Sequence, residues 1–244
     1  MKNGSMQKIA VVTGANKGIG FEIAKQLSEL GIRCYLAGRS EERVASAISL
    51  LRSQKLDVHP LVLDITSQQS VSDAPRYLSD REDKLDILVN NAAICIEPYG
   101  TRPSEQVLDD WRITFDTNIF GTVAVTQVFL PLLRKSPAGR IVNVSSLLGS
   151  ITTHSDPASY AYSDMFKSLP AYSASKSALN SWIAHLAYEL RKTPIKVNSA
   201  HPGYTRTDMN YGEGDQPAAE GARTSVRLAL LGDGGPKSIE KYLE

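Results

Sequence analysis

The sequence predicts an α/β fold: one domain of three layers, a doubly wound parallel sheet of six to seven strands between two sets of helices. Short β-branched runs alternate with amphipathic stretches, the order expected of a parallel sheet covered by helices. The strand runs are apolar at consecutive positions, which suits strands buried on both faces. A Gly-rich turn links the first run to the first helix, and 244 residues sit near the upper limit for one hydrophobic core.

Taken in order, 8–13 (KIAVVT) reads as a strand, followed by the Gly-rich turn and a helix over 18–30. The second strand is 32–37, and Val44, Ile48 and Leu51 mark one face of a helix over 41–54. A third strand covers 58–65, then a polar helix runs through Val71 and Leu78. The fourth strand is 85–90, and two helices over 104–116 and 117–134 precede the fifth, 140–144. A long helix over 172–191, a sixth strand over 195–200 and a helix over 218–231 complete the pattern. The stretches 150–171 and 204–217 are irregular, and loops of that length inside a compact α/β domain are usually functional.

Composition narrows the function. A formal net charge of +1 leaves no basic footprint for nucleic acid or an acidic membrane. With 42% hydrophobic and 22% charged residues, the chain is too apolar for disorder and too charged for a membrane protein. The best apolar stretch, Val123 to Leu133, is interrupted by Gln127 and Pro131. Cys34 and Cys95 are too few for a disulfide framework or a cysteine zinc cluster, and the four histidines are scattered, so no metal site is expected. The start, MKNGSMQK, lacks a signal-type apolar region, and a cytoplasmic location is expected. Gly4-Ser5 before Met6 reads as a cloning junction, so the domain is taken as residues 6–244 and residues 1–5 as an appended tail.

The turn Gly14-Ala15-Asn16-Lys17-Gly18-Ile19-Gly20 sits between strand and helix at the start of an alternating chain. Glycines there permit a tight turn and let a pyrophosphate approach the helix N-terminus, whose free N–H groups and dipole favour an anion. A Walker-type loop is excluded because Lys17 precedes Gly18 and no Gly-Lys-Ser/Thr follows. Enzymes using NAD place an acid at the end of the second strand for the ribose 2′-OH. Here Gly38-Arg39 stands there, and a guanidinium suits a 2′-phosphate, with Lys17 as a second cation. Glu41 and Glu42 read as first-turn helix acids behind the N-cap Ser40. NADPH is the expected cofactor.

Tyr172 and Lys176, four apart, share one helical face. A phenol titrates near pH 10, and lowering that by about three units takes about 4 kcal/mol. One ammonium at ~4 Å in an effective dielectric of ~20 supplies about that much. The pair is therefore a candidate proton donor and acceptor for a carbonyl oxygen.

With TGANKGIG, NNAA at 90–93, TNIFG around Asn118, IVNVSS ending at Ser146, YSASK, and HPGYTRTDM, the chain resembles the short-chain dehydrogenase/reductase family along its length. It is most similar within it to NADPH-dependent carbonyl reductases. The resemblance implies a Rossmann-type sheet and a set of roles. Ser146 hydrogen-bonds the substrate oxygen, Tyr172 is general acid in reduction and base in oxidation, and Lys176 lowers its pKa and holds the nicotinamide ribose. Asn118 keeps a helix kink and a water that links Lys176 to solvent. Asp64 and Ile65 flank the adenine, Asn90 and Ala92 line the cofactor, and Pro202, Gly203 and Thr205 meet the nicotinamide amide. Tyr172 and Lys176 belong to the cofactor set as well.

Three features depart from the family. Ser146 and Tyr172 lie 26 positions apart, about twice the common spacing, although several carbonyl reductases carry a longer insertion there. The extra segment, 151–170, holds Tyr160, Tyr162, Met165 and Phe166, which either wall the substrate pocket or pin the loop to the surface. The tail after Gly235 does not read as the family's last strand. The expected activity is NADPH-dependent reduction of a ketone or aldehyde, on a small carbonyl substrate, by a monomer or homodimer with no nucleic-acid or membrane partner. An NAD(P)-dependent alcohol dehydrogenase, a 3-oxoacyl-type reductase, and a non-catalytic NADP(H)-sensing protein are the alternatives.

Overall fold

In a computed structural model, residues 7–232 and 234–235 are described. The strands are β1 (Ile9–Thr13), β2 (Arg33–Gly38), β3 (Val58–Val62), β4 (Ile87–Asn90), β5 (Arg140–Val144) and β6 (Lys196–Ala200). The helices are α1 (Gly18–Glu29), α2 (Glu41–Ser53), α3 (Gln68–Ser79), α4 (Leu108–Phe115), α5 (Thr122–Leu133), α6 (Ile151–Ser155), α7 (Asp164–Lys167), α8 (Pro170–Leu190) and α9 (Ala218–Ala229). All pairings are parallel, in the order β3-β2-β1-β4-β5-β6. The chain order reverses between β1 and β4, and ligands of open α/β sheets bind beyond the strand C-termini at such a switch point. Six strands lie among the described residues, and the tail after Gly235 lies outside them.

Side chains alternate between the faces with the strand period of two. Val11, Tyr35, Leu88 and Ile141 pack under α3, α5 and α8, through Leu78, Phe129, Leu133, Leu179 and Ile183. Their neighbours Val12, Leu36, Val89 and Val142 pack under α1, α2 and α9, through Ile23, Leu27, Val44, Leu51 and Val226. Burying apolar surface on both faces explains why the strands read as continuous apolar runs. Ser40 and Ser67 start α2 and α3 by accepting from the amides of Arg43 and Ser70.

Two differences from the sequence reading bear on the site. The two helices expected over 104–116 and 117–134 are one continuous rod, in which α4 and α5 are joined by a π-helical turn over Asp116–Gly121. That rod, Leu108–Leu133, is long and apolar enough to cross a membrane. Here it lies on the sheet as a core helix, burying Val125, Phe129, Leu132 and Leu133. The segment 150–171, read as irregular, contains α6 and α7.

Candidate active site

A crevice of about 780 Å³ opens beyond the C-termini of β1, β2 and β4. Its floor is the turn 14–19, where Gly14 (φ +62°) and Gly18 (φ +59°) take left-handed backbone conformations. A Cβ on Gly14 would lie 2.9 Å from Ala92 Cα, so only glycine fits between the turn and the segment after β4. Helix α1 begins at Gly18 with Lys17 as N-cap, no side-chain cap and no acid in its first turn. Its N-terminal amides thus face the crevice without a side-chain partner, a ready anion site. The donor set fits a dinucleotide's pyrophosphate.

Among the expected cofactor residues, Gly14, Asn16, Lys17, Gly18, Ile19, Arg39, Asp64, Ile65 and Ala92 line this crevice. Gly20 lies inside α1, against the Gly14 carbonyl and Asn91. Asn90 is buried in the sheet, its amide donating to Thr126 Oγ1 and Asn143 Oδ1, both at 2.9 Å. Thr205 is buried and donates to Pro202 O at 3.0 Å, tying the turn through Gly203. Glu41 and Glu42 stay out of the crevice, at the start of α2.

The charges at the mouth are paired across it. Lys17 Nζ lies 2.6 Å from Asp208 Oδ2, both exposed. Asp208's carboxyl is held below its ordinary range by Lys17 first and Arg43 less. Asp64's carboxyl is also lowered, chiefly by hydrogen bonds from Thr66 and less by the Arg39 guanidinium. Arg43 was not singled out in the sequence; it lies one turn of α2 beyond Arg39 and lines the same crevice. Its sequence signal is a basic residue in the first turn of the helix that follows Gly38-Arg39.

Four further residues come from three parts of the fold. Ser146 follows β5, Tyr172 and Lys176 lie on α8, and Asn118 sits in the π turn. Lys176 is buried, its ammonium donating to Val144 O at 2.8 Å and lying 5.6 Å from the centre of the Tyr172 ring. Burial pulls Lys176 down to about 8. Tyr172 departs from the sequence expectation: burial, then Cys95, pushes its phenol above the ordinary value, and the neighbouring Ser146 hydroxyl only opposes this. The ammonium gives one of its three N–H groups to Val144 O and keeps its charge 5.6 Å from the ring centre, while the group that lowers the phenol is Ser146. Asn118 is fully engaged: Oδ1 accepts from Ile94 N (2.9 Å), while Nδ2 donates to Ile94 O (2.9 Å) and Ser175 Oγ (3.0 Å). Ser146 Oγ accepts from Leu148 N at 3.1 Å, and the next amide, Leu147 N, donates to His201 Nδ1 at 3.2 Å.

The inserted segment packs beside Tyr172. Phe166 packs with Tyr172 and Cys95 onto Leu148, Ala161 and Leu169. It meets Tyr160 and Tyr204 edge-on, with ring centres 5.4 and 5.7 Å away. Tyr99 and Tyr211 form a second edge-on pair at 6.2 Å. Tyr162, within the same segment, takes the Lys167 ammonium 4.9 Å from its ring centre. Cys95 lines the crevice and touches the Tyr172 cluster, so it joins the two halves of the site; burial pushes its thiol up to about 12 and leaves it unreactive. Among the described residues no group of His, Cys, Asp and Glu is placed to hold a metal ion.

A doubly wound sheet with an anion-binding turn at its switch point, and a Ser/Tyr/Lys cluster beside it, defines a dinucleotide-dependent oxidoreductase. The model of the short chain dehydrogenase family matches residues 8–218. Short-chain dehydrogenase anuI of Penicillium roqueforti is 39% identical over 235 residues, 95% of this chain and 91% of that one. The structure of salutaridine reductase from Papaver somniferum superposes with a TM-score of 0.79 at 31% identity, over 95% of this chain and 98% of that one. A variant of actinorhodin polyketide ketoreductase, solved with NADPH, gives 0.79 at 26% identity, over 95% and 94%. The chain belongs to the short-chain dehydrogenase family.

Proposed function

We propose that this protein reduces a ketone or aldehyde to the alcohol with NADPH, and that ring-shaped, mostly apolar carbonyl compounds are its substrates. The observation that carries the reading is the half-buried Tyr172 side chain beside Ser146, with the buried Lys176 ammonium 5.6 Å from its ring centre, next to a crevice with a basic mouth. NADPH, when bound, supplies the hydride. The α1 amides would hold its pyrophosphate, Arg39, Arg43 and Lys17 its 2′-phosphate, Asp64 and Ile65 its adenine, and Ala92, Pro202, Gly203 and Thr205 its nicotinamide end.

Ser146 donates a hydrogen bond to the carbonyl oxygen and fixes it. Tyr172 donates its phenolic proton to that oxygen as negative charge develops there, the general-acid step. The Lys176 ammonium, beneath the ring, stabilises the phenolate left behind and, near a pKa of about 8, is poised to return a proton at neutral pH. Burial raises the phenol's pKa, so Tyr172 holds its proton at neutral pH and gives it up only as negative charge develops on the substrate oxygen. Phe166, Tyr160 and Tyr204 offer ring faces and edges to a cyclic substrate. The names of the polyketide ketoreductase and salutaridine reductase, both reductases, agree in reaction type. We place the protein in the cytoplasm, acting as a monomer or homodimer.

The test is NADPH oxidation, followed by its absorbance, across cyclic ketones, open-chain ketones and short aldehydes, with NADH in parallel. Turnover of cyclic ketones with NADPH, lost at least about 100-fold in Tyr172→Phe while NADPH still binds, is the expected result. Near-normal rates for Tyr172→Phe would overturn the assignment.

A further inference from the structure

Helix α8 carries both Tyr172 and Lys176, yet its own sequence does not cap it. The N-cap is Leu169, which has no acceptor, and Pro170 occupies the first helical position. The next two amides, of Ala171 and Tyr172, are among the donors that every helix start leaves without an intrahelical partner. The first intrahelical bond comes only from Ser173 N to Leu169 O at 3.0 Å.

Both amides are taken by one carboxylate from a distant segment. Glu97 Oε1 accepts from Ala171 N at 2.6 Å and Oε2 from Tyr172 N at 2.8 Å. Glu97 is 4% exposed, and among the described residues no cation pairs with it. Burial raises its carboxyl's pKa, the two amide bonds pull it back, and the positive end of α8 faces it. A carboxylate buried with no counter-charge is costly unless fully hydrogen-bonded, so this placement is specific. The segment holding Glu97 is itself fixed three residues earlier, where Asn118 clasps Ile94 through both its amide and its carbonyl.

We propose that Glu97 is a positioning residue for the reaction: as a clamp on the first turn of α8, it sets where the Tyr172 phenol stands relative to Ser146. The inference rests on the function proposed above. The inserted loop runs into this turn, and its Phe166 packs on the same small cluster, Leu148, Ala161 and Leu169, as Tyr172. Besides the clamp, that stretch is held by Gln106 Nε2 on Ser168 O at 2.8 Å, by Asn118 through Ser175, and by apolar contacts, none of which engages the Ala171 and Tyr172 amides. The phenol's position, and not the crevice that binds the nucleotide, is what the clamp controls, since Glu97 does not line the crevice.

The test uses the full chain with Glu97→Gln, which keeps one acceptor, and Glu97→Ala, which keeps none. Three quantities are read: kcat and KM for a cyclic ketone that the wild-type protein reduces, NADPH Kd by fluorescence titration, and hydrogen exchange of the 169–176 amides. We expect kcat to fall about 30–100-fold in Glu97→Ala and about 3–10-fold in Glu97→Gln, as for a displaced catalytic group. NADPH Kd and ketone KM should stay within about twofold, and exchange at Ala171 and Tyr172 should quicken in the same order. Faster exchange with unchanged kcat would overturn the proposal and leave Glu97 a merely structural cap. So would parallel losses of kcat and NADPH affinity. If Glu97→Ala does not fold, the same criteria apply to Glu97→Gln. If the wild-type protein reduces no carbonyl compound, the functional reading fails, and this proposal with it; a normal kcat in the variants beside an active wild type overturns the clamp alone.

Discussion

Removing the lysine of the proposed catalytic pair should make this protein more stable at neutral pH. Lys176 is 3% exposed, and burial lowers it from 10.5 to about 8. Below pH 8 both folded and unfolded chains carry the proton, and the folded chain bears the whole cost of an ammonium out of water. That cost is about 3 kcal/mol at pH 7, from the 2.5-unit difference at 1.36 kcal/mol per unit. Between pH 8 and 10.5 the unfolded chain holds the proton more tightly than the folded one, so stability rises with pH. By pH 9.5 the residual cost is about 1 kcal/mol. Lys176→Met keeps the length and apolar stem of the side chain but loses the bond to Val144 O, about 1 kcal/mol. The net gain at pH 7 is about 2 kcal/mol, or about 4–8 °C in Tm for a chain of this size. At pH 9.5 it should shrink to nearly zero. Thermal melts of both proteins at the two pH values measure this, with NADPH-linked turnover abolished in the variant. A lower Tm for Lys176→Met at pH 7, or an equal gain at both pH values, would refute the reasoning.

Three perturbations at other parts of the site follow from the same geometry. Arg43→Ala should weaken NADPH about 10-fold and leave NADH unchanged, since a charge-assisted bond to phosphate is worth about 1.5–3 kcal/mol less screening. Asp208→Asn should act in the opposite direction, tightening NADPH about 2–5-fold, because the exposed pair with Lys17 that it releases is worth at most about 1 kcal/mol; Kd titrations with both nucleotides decide, and equal effects on NADH would move the 2′-phosphate elsewhere. Asn118→Ala should lower stability by about 2–5 kcal/mol, since it strands the buried amide and carbonyl of Ile94, and chemical denaturation would reveal a smaller loss if those groups find other partners.

Much of the fold was legible because the signals were local. The run 140–144 is β5 to the residue, and the turn 14–20 lies between β1 and α1 as its glycines require. What was not legible depends on contacts between distant segments. The third strand, expected to reach 65, ends at Val62 because its partner β2 ends at Gly38, the last residue it can pair with. The helix expected from 172 begins at Pro170 because Glu97 caps it from far away, while Leu169 offers no capping signal. The break expected after Asp116 is a π turn, a one-residue slip in the apolar period that reads as two helices and is held by Asn118 on Ile94. In the site, the glycines, Arg39 and the Tyr172/Lys176 spacing could be read from the chain. Arg43 needed the orientation of α2 on the sheet, and the raised phenol needed the packing of Phe166.

The two titrating groups on α8 bear jointly on the direction of reaction. Burial favours the uncharged form of each, pushing the phenol up and the ammonium down. A lysine at about 8 is still mostly charged at pH 7, and a phenol above its ordinary value is almost wholly protonated, so the pair holds two exchangeable protons. Carbonyl reduction consumes one proton per turnover, and the group nearest Ser146 is the one that carries it. Alcohol oxidation would start instead from a phenolate, the form that burial, Cys95, Tyr160 and Tyr99 all disfavour. One ammonium that is hydrogen-bonded to Val144 O and set over the ring is a weak counterweight to that list. The packing that keeps the phenol protonated also makes it a weaker acid, so in the proposed reduction its proton leaves only as negative charge develops on the substrate oxygen, with the Lys176 ammonium opposing the cost of the phenolate; Tyr160, from the insertion between Ser146 and Tyr172, is among the groups that disfavour that phenolate.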